Sequence, residues 1–292
     1  MNAIETNHLT KFYGSARGVE DLELTVEQGE FFGFIGPNGA GKSTTIRTLL
    51  GLISPTSGDA RVLGLDIRKD KTEILSRVGY LPSEITFYPG MKVKDVLRLS
   101  AGMRGKDCIQ QAQELCQRLQ LDQSRRVEDL SLGNRKKVGI VCALQHDPEL
   151  LILDEATSGL DPLMQREFFE ILQERNKAGA TVFLSSHVLS EIQRNCSQAA
   201  IIRGGRIITC GAVSELANSG THRVSLRGSL DLTALTGVRG LTCSGDSLSF
   251  LYSGDLPPLL KALSQGEIQD LTITEPDLEE IFLHYYETEE EK

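Results

Sequence analysis

The chain has 292 residues, 40% of them hydrophobic and 24% charged, with a formal net charge of −9. That balance excludes disordered and fibrous classes, and the acidic surplus argues against a general nucleic-acid-binding surface. The length suits a main domain of about 200 residues plus a small one. "MNAIETNHLTK" carries Glu5 and no apolar h-region, so no signal peptide is expected. No apolar run approaches the roughly 18–20 residues of a spanning helix, so a role at a membrane is expected to pass through a separate chain.

The first 50 residues read as strands and a loop. "VEDLELTVE" alternates, with Val19, Leu22, Leu24 and Val26 facing inward. "EFFGFIG" is a short buried strand. It runs into "PNGAGKSTTIRTLLGL", a Gly-rich loop and a helix ending at Gly51. The stretch 92–146 is helical, in "KVKDVLRLSAGM", "KDCIQQAQELCQRLQ" and "NRKKVGIVCALQ". Two strands follow, "ELLILDE" and "ATVFLSSH", apolar on both faces as parallel strands under helices are. Between them "PLMQREFFEILQERNKAG" reads as a helix with Pro162 near its start and Gly179 past its end. A helix at 188–195 and strands at 198–203 and 205–210 complete a domain spanning 1–218.

The rest reads as a small α+β domain, 221–286, and an acidic tail, 287–292. "HRVSLRG", "SLSFLYSG" and "IQDLTITE" are strands and "PPLLKALSQ" a helix. "PDLEEIFLHYYE" places Leu278, Ile281, Phe282 and Tyr285 on one helix face. Six Cys, at 108, 116, 142, 196, 210 and 243, show no CxxC spacing and are expected as buried free thiols.

Chemistry concentrates in three places. "GPNGAGKST" fits G-x-x-x-x-G-K-[ST] between a strand and a helix. Gly36, Pro37, Asn38, Gly39, Ala40 and Gly41 form a loop whose N–H groups can turn toward phosphate, aided by the positive end of the helix. Lys42 would reach the β- and γ-phosphates, and Ser43, before Thr44, is placed for Mg²⁺. "LLILDE" ends in Asp154, suited to Mg²⁺ through water, and Glu155, suited to polarise water for attack on phosphate. His187 ends "TVFLSSH" at an equivalent strand end, placed to bond the γ-phosphate or to orient that water.

The combination resembles the ATP-binding subunits of ABC transporters. Gly36–Thr44 is similar to the family's Walker A motif and Leu150–Glu155 to its Walker B motif. "LSLGN" resembles the LSGGQ signature, "SGLD" (Ser158–Asp161) the D-loop, and His187 the switch histidine. Tyr13 in "KFYG" stands where the family stacks an aromatic ring on adenine. The resemblance covers residues 4 to about 218. It implies an α/β P-loop NTPase sheet with an antiparallel β-subdomain and an inserted helical subdomain, besides the small C-terminal α+β domain. It also implies an ATPase using ATP and Mg²⁺ on the cytoplasmic face of a membrane, with a separate permease and no nucleic acid. Two such subunits would meet head to tail; both halves of the composite site look usable in this chain, which favours a homodimer over a heterodimer. Ser131 and the Gly133 backbone would then face ATP held by the partner, and Asp161 of the D-loop is also expected among the nucleotide-binding residues.

Three departures from the pattern stand out. Leu132 replaces a consensus Gly, with a side chain expected to point away from phosphate, and Asn134 replaces Gln. At the Q-loop, "GYLPSEITFYPGMKV" has Ser83 at the Gln position, with Glu84 next; the segment 83–91 is the expected docking surface for the permease. "GYLPSE" and "PDLEEIFLHYY" resemble exporters of the antibiotic-resistance type. Arg135, Lys136 and Lys137 sit near a helix N-terminus, where cations oppose the helix dipole. They are expected either to meet an anion from a second chain or to turn to water. Two alternatives are weighed. A soluble ABC ATPase working on ribosomes or nucleic acid would be expected to have two cassettes or a coiled-coil insertion. A regulatory cassette with weak turnover would fit Ser83, but not intact Lys42, Asp154, Glu155 and His187.

Overall fold

A computed structural model describes residues 1–217, 221–230, 232 and 235–274. The chain divides into two compact units, the first Met1–Gly211 and the second beginning at Ala212. The first unit runs β1 (Asn2–Tyr13), β2 (Ala16–Glu27), β3 (Phe31–Ile35), α1 (Lys42–Leu49), β4 (Ser57–Val62), β5 (Leu65–Asp66), α2 (Lys71–Arg77) and β6 (Val78–Leu81). It continues through α3 (Val93–Gly102), α4 (Ile109–Arg118), α5 (Leu132–Leu144), β7 (Leu150–Asp154), α6 (Pro162–Lys177), β8 (Thr181–Ser186), α7 (Leu189–Asn195), β9 (Gln198–Arg203) and β10 (Arg206–Ala212).

Two sheets organise this unit. The first has the order β2-β1-β4-β5, antiparallel throughout, and the second β10-β9-β3-β8-β7-β6. In the second sheet β9, β3, β8, β7 and β6 are parallel. All residues of β3, β7 and β8 are buried, which is why their sequences are apolar on both faces. Phe183 anchors the middle of the sheet, stacked at 5.9 Å on Phe32 and tilted at 5.3 Å against Phe34. Leu22, Leu24 and Val26 of β2 face inward as their alternation requires, and Val19, out of that phase, is also buried, beyond a register shift between Leu9 and Lys11.

Register decides which chain segments meet. Ile35 pairs with Ser186, Asp154 with Ser185, and Leu81 with Leu153. The carboxyl ends of β3, β8, β7 and β6 therefore lie side by side. The residues just beyond them, Gly36, His187, Glu155 and Pro82, open onto one edge, where parallel α/β sheets bind ligands. Helices α3, α4 and α5 form the inserted helical part. Arg118 ties it to α6 through Glu167, at 2.6 Å, and a two-pronged pair with Glu174.

The second unit comprises α8 (Val213–Ala217), β11 (Thr221–Ser229), β12 (Val238–Ser244), β13 (Ser247–Ser253), α9 (Leu256–Leu263) and β14 (Glu267–Thr274). Its sheet has the order β12-β13-β11-β14, all antiparallel. Val224, Leu226, Phe250 and Tyr252 form its core with Leu259 and Leu263 of α9. β12 is an addition to the strands read from sequence. The helix face of Leu278, Ile281, Phe282 and Tyr285, and the acidic tail, lie outside the described residues. The thiols are free, but Cys210 and Cys243 are exposed, correcting the expectation that all six are buried.

Candidate active site

The loop from Gly36 to Gly41 is shaped by close approaches. A Cβ on Gly36 would stand 2.5 Å from the Ile202 carbonyl oxygen, and one on Gly41 would stand 2.7 Å from that of Gly18. Gly41 also has φ of +110° and caps α1, so both sterics and backbone geometry demand glycine. α1 has no acidic residue in its first turn, so its positive end is left for an incoming anion. Lys42 is 5% exposed; its Nζ donates to the carbonyls of Gly36 at 2.6 Å and Pro37 at 3.2 Å. The Ala40 side chain is buried, and its N–H donates to the Pro37 carbonyl within the turn.

Asp154 is 1% exposed, and both its oxygens accept: Oδ2 from Ser43 Oγ at 2.8 Å, Oδ1 from Ser185 Oγ at 3.1 Å. Glu155 breaks from the strand with φ of +50°, a left-handed conformation costing about 1–2 kcal/mol in a residue with a Cβ. The Glu155 N–H still donates to the Ser185 carbonyl. Its Oε2 lies 2.6 Å from His187 Nδ1, and its Oε1 makes an ionic contact, 3.3 Å from Lys42 Nζ, without hydrogen-bond alignment. An ionised carboxylate only accepts, so the proton of this short contact sits on Nδ1. In the neutral ring Nε2 is then the acceptor.

Tyr13, Arg17, Asn38, Lys42, Ser43 and Glu155 line a cleft of about 300 Å³ together with the loop glycines, Thr44 and Ser83. Tyr13 is 47% exposed, with Lys11 Nζ 5.2 Å from its ring centroid, so it presents an aromatic face rather than a core contact. Asp154 and His187 do not line the cleft but join it through Ser43 and Glu155, so the structure brings Tyr13, the Gly36–Thr44 loop, Asp154, Glu155 and His187 together. Ser131, Gly133 and Asp161 also lie outside the lining, and their contacts are made elsewhere.

Those three have other settings. Ser131 caps α5, its Oγ accepting from the Asn134 N–H at 3.3 Å. Asp161 caps α6, its Oδ1 accepting from the Met164 N–H at 3.0 Å ahead of Pro162. A Cβ on Gly133 would meet the Gly159 carbonyl oxygen at 2.5 Å, so signature and D-loop touch within one chain. The Leu132 side chain, 66% exposed, lies over Gly159.

The cation run is also corrected. Arg135 is exposed, but Lys136 and Lys137 are buried, so neither lysine turns to water. Burial pulls Lys136 down to about 8, against the opposing pull of Asp154 and Glu155. The sequence held a signal for this: the lysines run straight into the apolar "VGIVCAL", and from Lys136 to Leu144 every residue of α5 but Cys142 is buried, as in a helix covered on all sides.

Residues 19–158 match the family model described as ABC transporter. The bacitracin transport ATP-binding protein BcrA of Bacillus licheniformis is 43% identical over 70% of this chain and 68% of its own length. The Nod factor export ATP-binding protein I of Cupriavidus metallidurans is 35% identical over 97% of each chain. The chain belongs to the ABC transporter ATP-binding proteins. It is an ATP-binding subunit and an ATPase. A solved ATP-binding subunit of an ABC transporter superposes with a TM-score of 0.70, at 30% identity, over 73% of this chain and 91% of that one. Among the described residues no helix of this ABC ATPase is long and apolar enough to cross a membrane.

Proposed function

We propose that this ATPase powers export through a separate integral membrane permease, working as a head-to-tail homodimer at the cytoplasmic face of the cell membrane. The observation that carries the pairing is the separation of the two half-sites. The catalytic side chains converge at the strand ends, while Ser131 and Gly133 lie outside that cleft. A second copy turned head to tail would bring the missing half to each nucleotide. Two relatives named for bacitracin transport and Nod factor export support the transport class. The segment 83–91, with Tyr88 74% exposed, is the surface assigned to the permease. Substrate choice then belongs to the permease.

Each residue has a role set by its surroundings. Tyr13 stacks on adenine. The N–H groups of the loop and Lys42 bind phosphate charge. Glu155 accepts a proton from the attacking water, and His187 fixes its carboxylate through the 2.6 Å contact. Ser43 Oγ and Asp154 Oδ2, 2.8 Å apart, are hard oxygen donors that fit Mg²⁺. Among the described residues no three His, Cys, Asp or Glu side chains form a metal cage. That fits an ion held by one or two protein groups together with substrate phosphates. When bound, Mg²⁺ neutralises charge on those phosphates.

Glu155→Gln with MgATP is expected to elute at twice the monomer mass in size-exclusion chromatography with light scattering. A mass that stays monomeric would sink the paired mechanism. The permease is tested separately, by tagging the chain and isolating it from membranes. A co-purifying chain with several spanning helices is expected; recovery only from the soluble fraction would defeat the exporter assignment.

A further inference from the structure

Helix α5 grips the segment after β6 at two points one turn apart. Lys136 Nζ donates to the carbonyls of Pro82 and Ser83, each at 3.3 Å. Three residues on, a Cβ at Gly139 would stand 2.4 Å from Ile85 Cδ1 and 2.9 Å from Leu81 Cδ1. Glycine therefore lets the helix lie directly on this segment. Lys136 is 3% exposed, and Asp154 and Glu155 act on the same ammonium. Ser83 also lines the cleft with Lys42, Ser43 and Glu155.

A buried ammonium is costly unless its charge is met, and an apolar side chain would fill the same stripe of α5 without that cost. Two carbonyls meet the charge here, and both belong to the head of the 83–91 segment.

We propose that Lys136 is a positioning residue, its charged donor holding the head of segment 83–91, and Ser83 with it, at the edge of the cleft. Phosphate arriving in the cleft meets Ser83 in its lining. Through the hold of Lys136 on the Pro82 and Ser83 carbonyls, that change passes to the exposed segment. The link rests on the ATPase assignment, not on the identity of any membrane partner.

The test uses the purified full chain and MgATP. Lys136→Met is expected to lower kcat about tenfold with KM for ATP within about twofold, and Lys136→Arg to retain kcat within about threefold. Hydrogen exchange separates linkage from packing. MgATP should alter protection of both 36–44 and 83–91 in the wild type, and of 36–44 alone in Lys136→Met. A variant whose 83–91 amides respond like the wild type, or one that loses both responses together, would overturn the proposal. Should Lys136→Met not fold, Lys136→Gln, which keeps a donor without charge, carries the same expectation. A wild type whose 36–44 amides ignore MgATP would strike at nucleotide binding itself, and the linkage with it.

Discussion

At the strand ends, Asp154 is 1% exposed and hydrogen-bonded through both oxygens, and Glu155 is held from two sides by Lys42 and His187. At the start of α5, Ser131 faces solvent and Leu132 is 66% exposed. Both regions carry motifs of the same nucleotide chemistry. One is set by a buried sheet whose register fixes its atoms, and the other is an accessible helix start. The difference teaches that buried register fixes the side chains at the strand ends, whereas an exposed helix start is open to a partner, as the proposed pairing requires.

Changes at the strand ends should hit chemistry hardest. Glu155→Gln is expected to lower kcat by about 10²–10⁴ with ATP affinity little changed, measured by steady-state hydrolysis and equilibrium nucleotide binding. Near-normal turnover would remove Glu155 from its role as base. The support beneath comes next. Phe183→Ala opens a cavity between Phe32 and Phe34 and should cost about 3–5 kcal/mol in denaturant unfolding. A loss below about 1 kcal/mol would show that the strand ends do not depend on this packing.

The exposed region should lose turnover by a different route, through the second copy rather than its own cleft. Ser131→Arg is expected to reduce turnover by at least about tenfold while the isolated monomer binds ATP as before. A large affinity loss in the monomer would place the signature in its own chain's site and erase the contrast. The smallest effect belongs to a boundary residue. Asp161→Ala removes the cap of α6 and should cost about 1 kcal/mol in thermal or denaturant unfolding. A turnover loss beyond that cost would reveal a second role for Asp161 at the interface between copies.

The central sheet was legible because β3, β7 and β8 are buried on both faces, leaving apolar runs that end in the loop, Asp154 and His187. Their convergence was not legible, since it follows from register. β1 escaped individual reading because its pairing slips between Thr6 and Leu9 and again before Lys11, spoiling the alternation. β12 escaped for a different reason: nearly all its residues are exposed, so it carries no apolar pattern. At the site, glycine spacing announced the phosphate loop. Lys136 was hidden by its company, because a run of three cations reads as a solvated surface, although α5 is buried on almost every face from Lys136 onward.

The contact between Gly133 and Gly159 has a consequence for how this sequence can change over generations. Gly133 cannot gain a side chain without moving the Gly159 carbonyl, which would lie 2.5 Å from the new atom. Gly159, with φ of +83°, is itself covered by Leu132, whose Cδ2 would stand 3.2 Å from any Cβ placed there. Positions 132, 133 and 159 therefore form one heritable unit, although 26 positions separate the two glycines along the chain. Substitutions at 132 and 159 should arrive together among descendants of this chain, while 133 stays fixed.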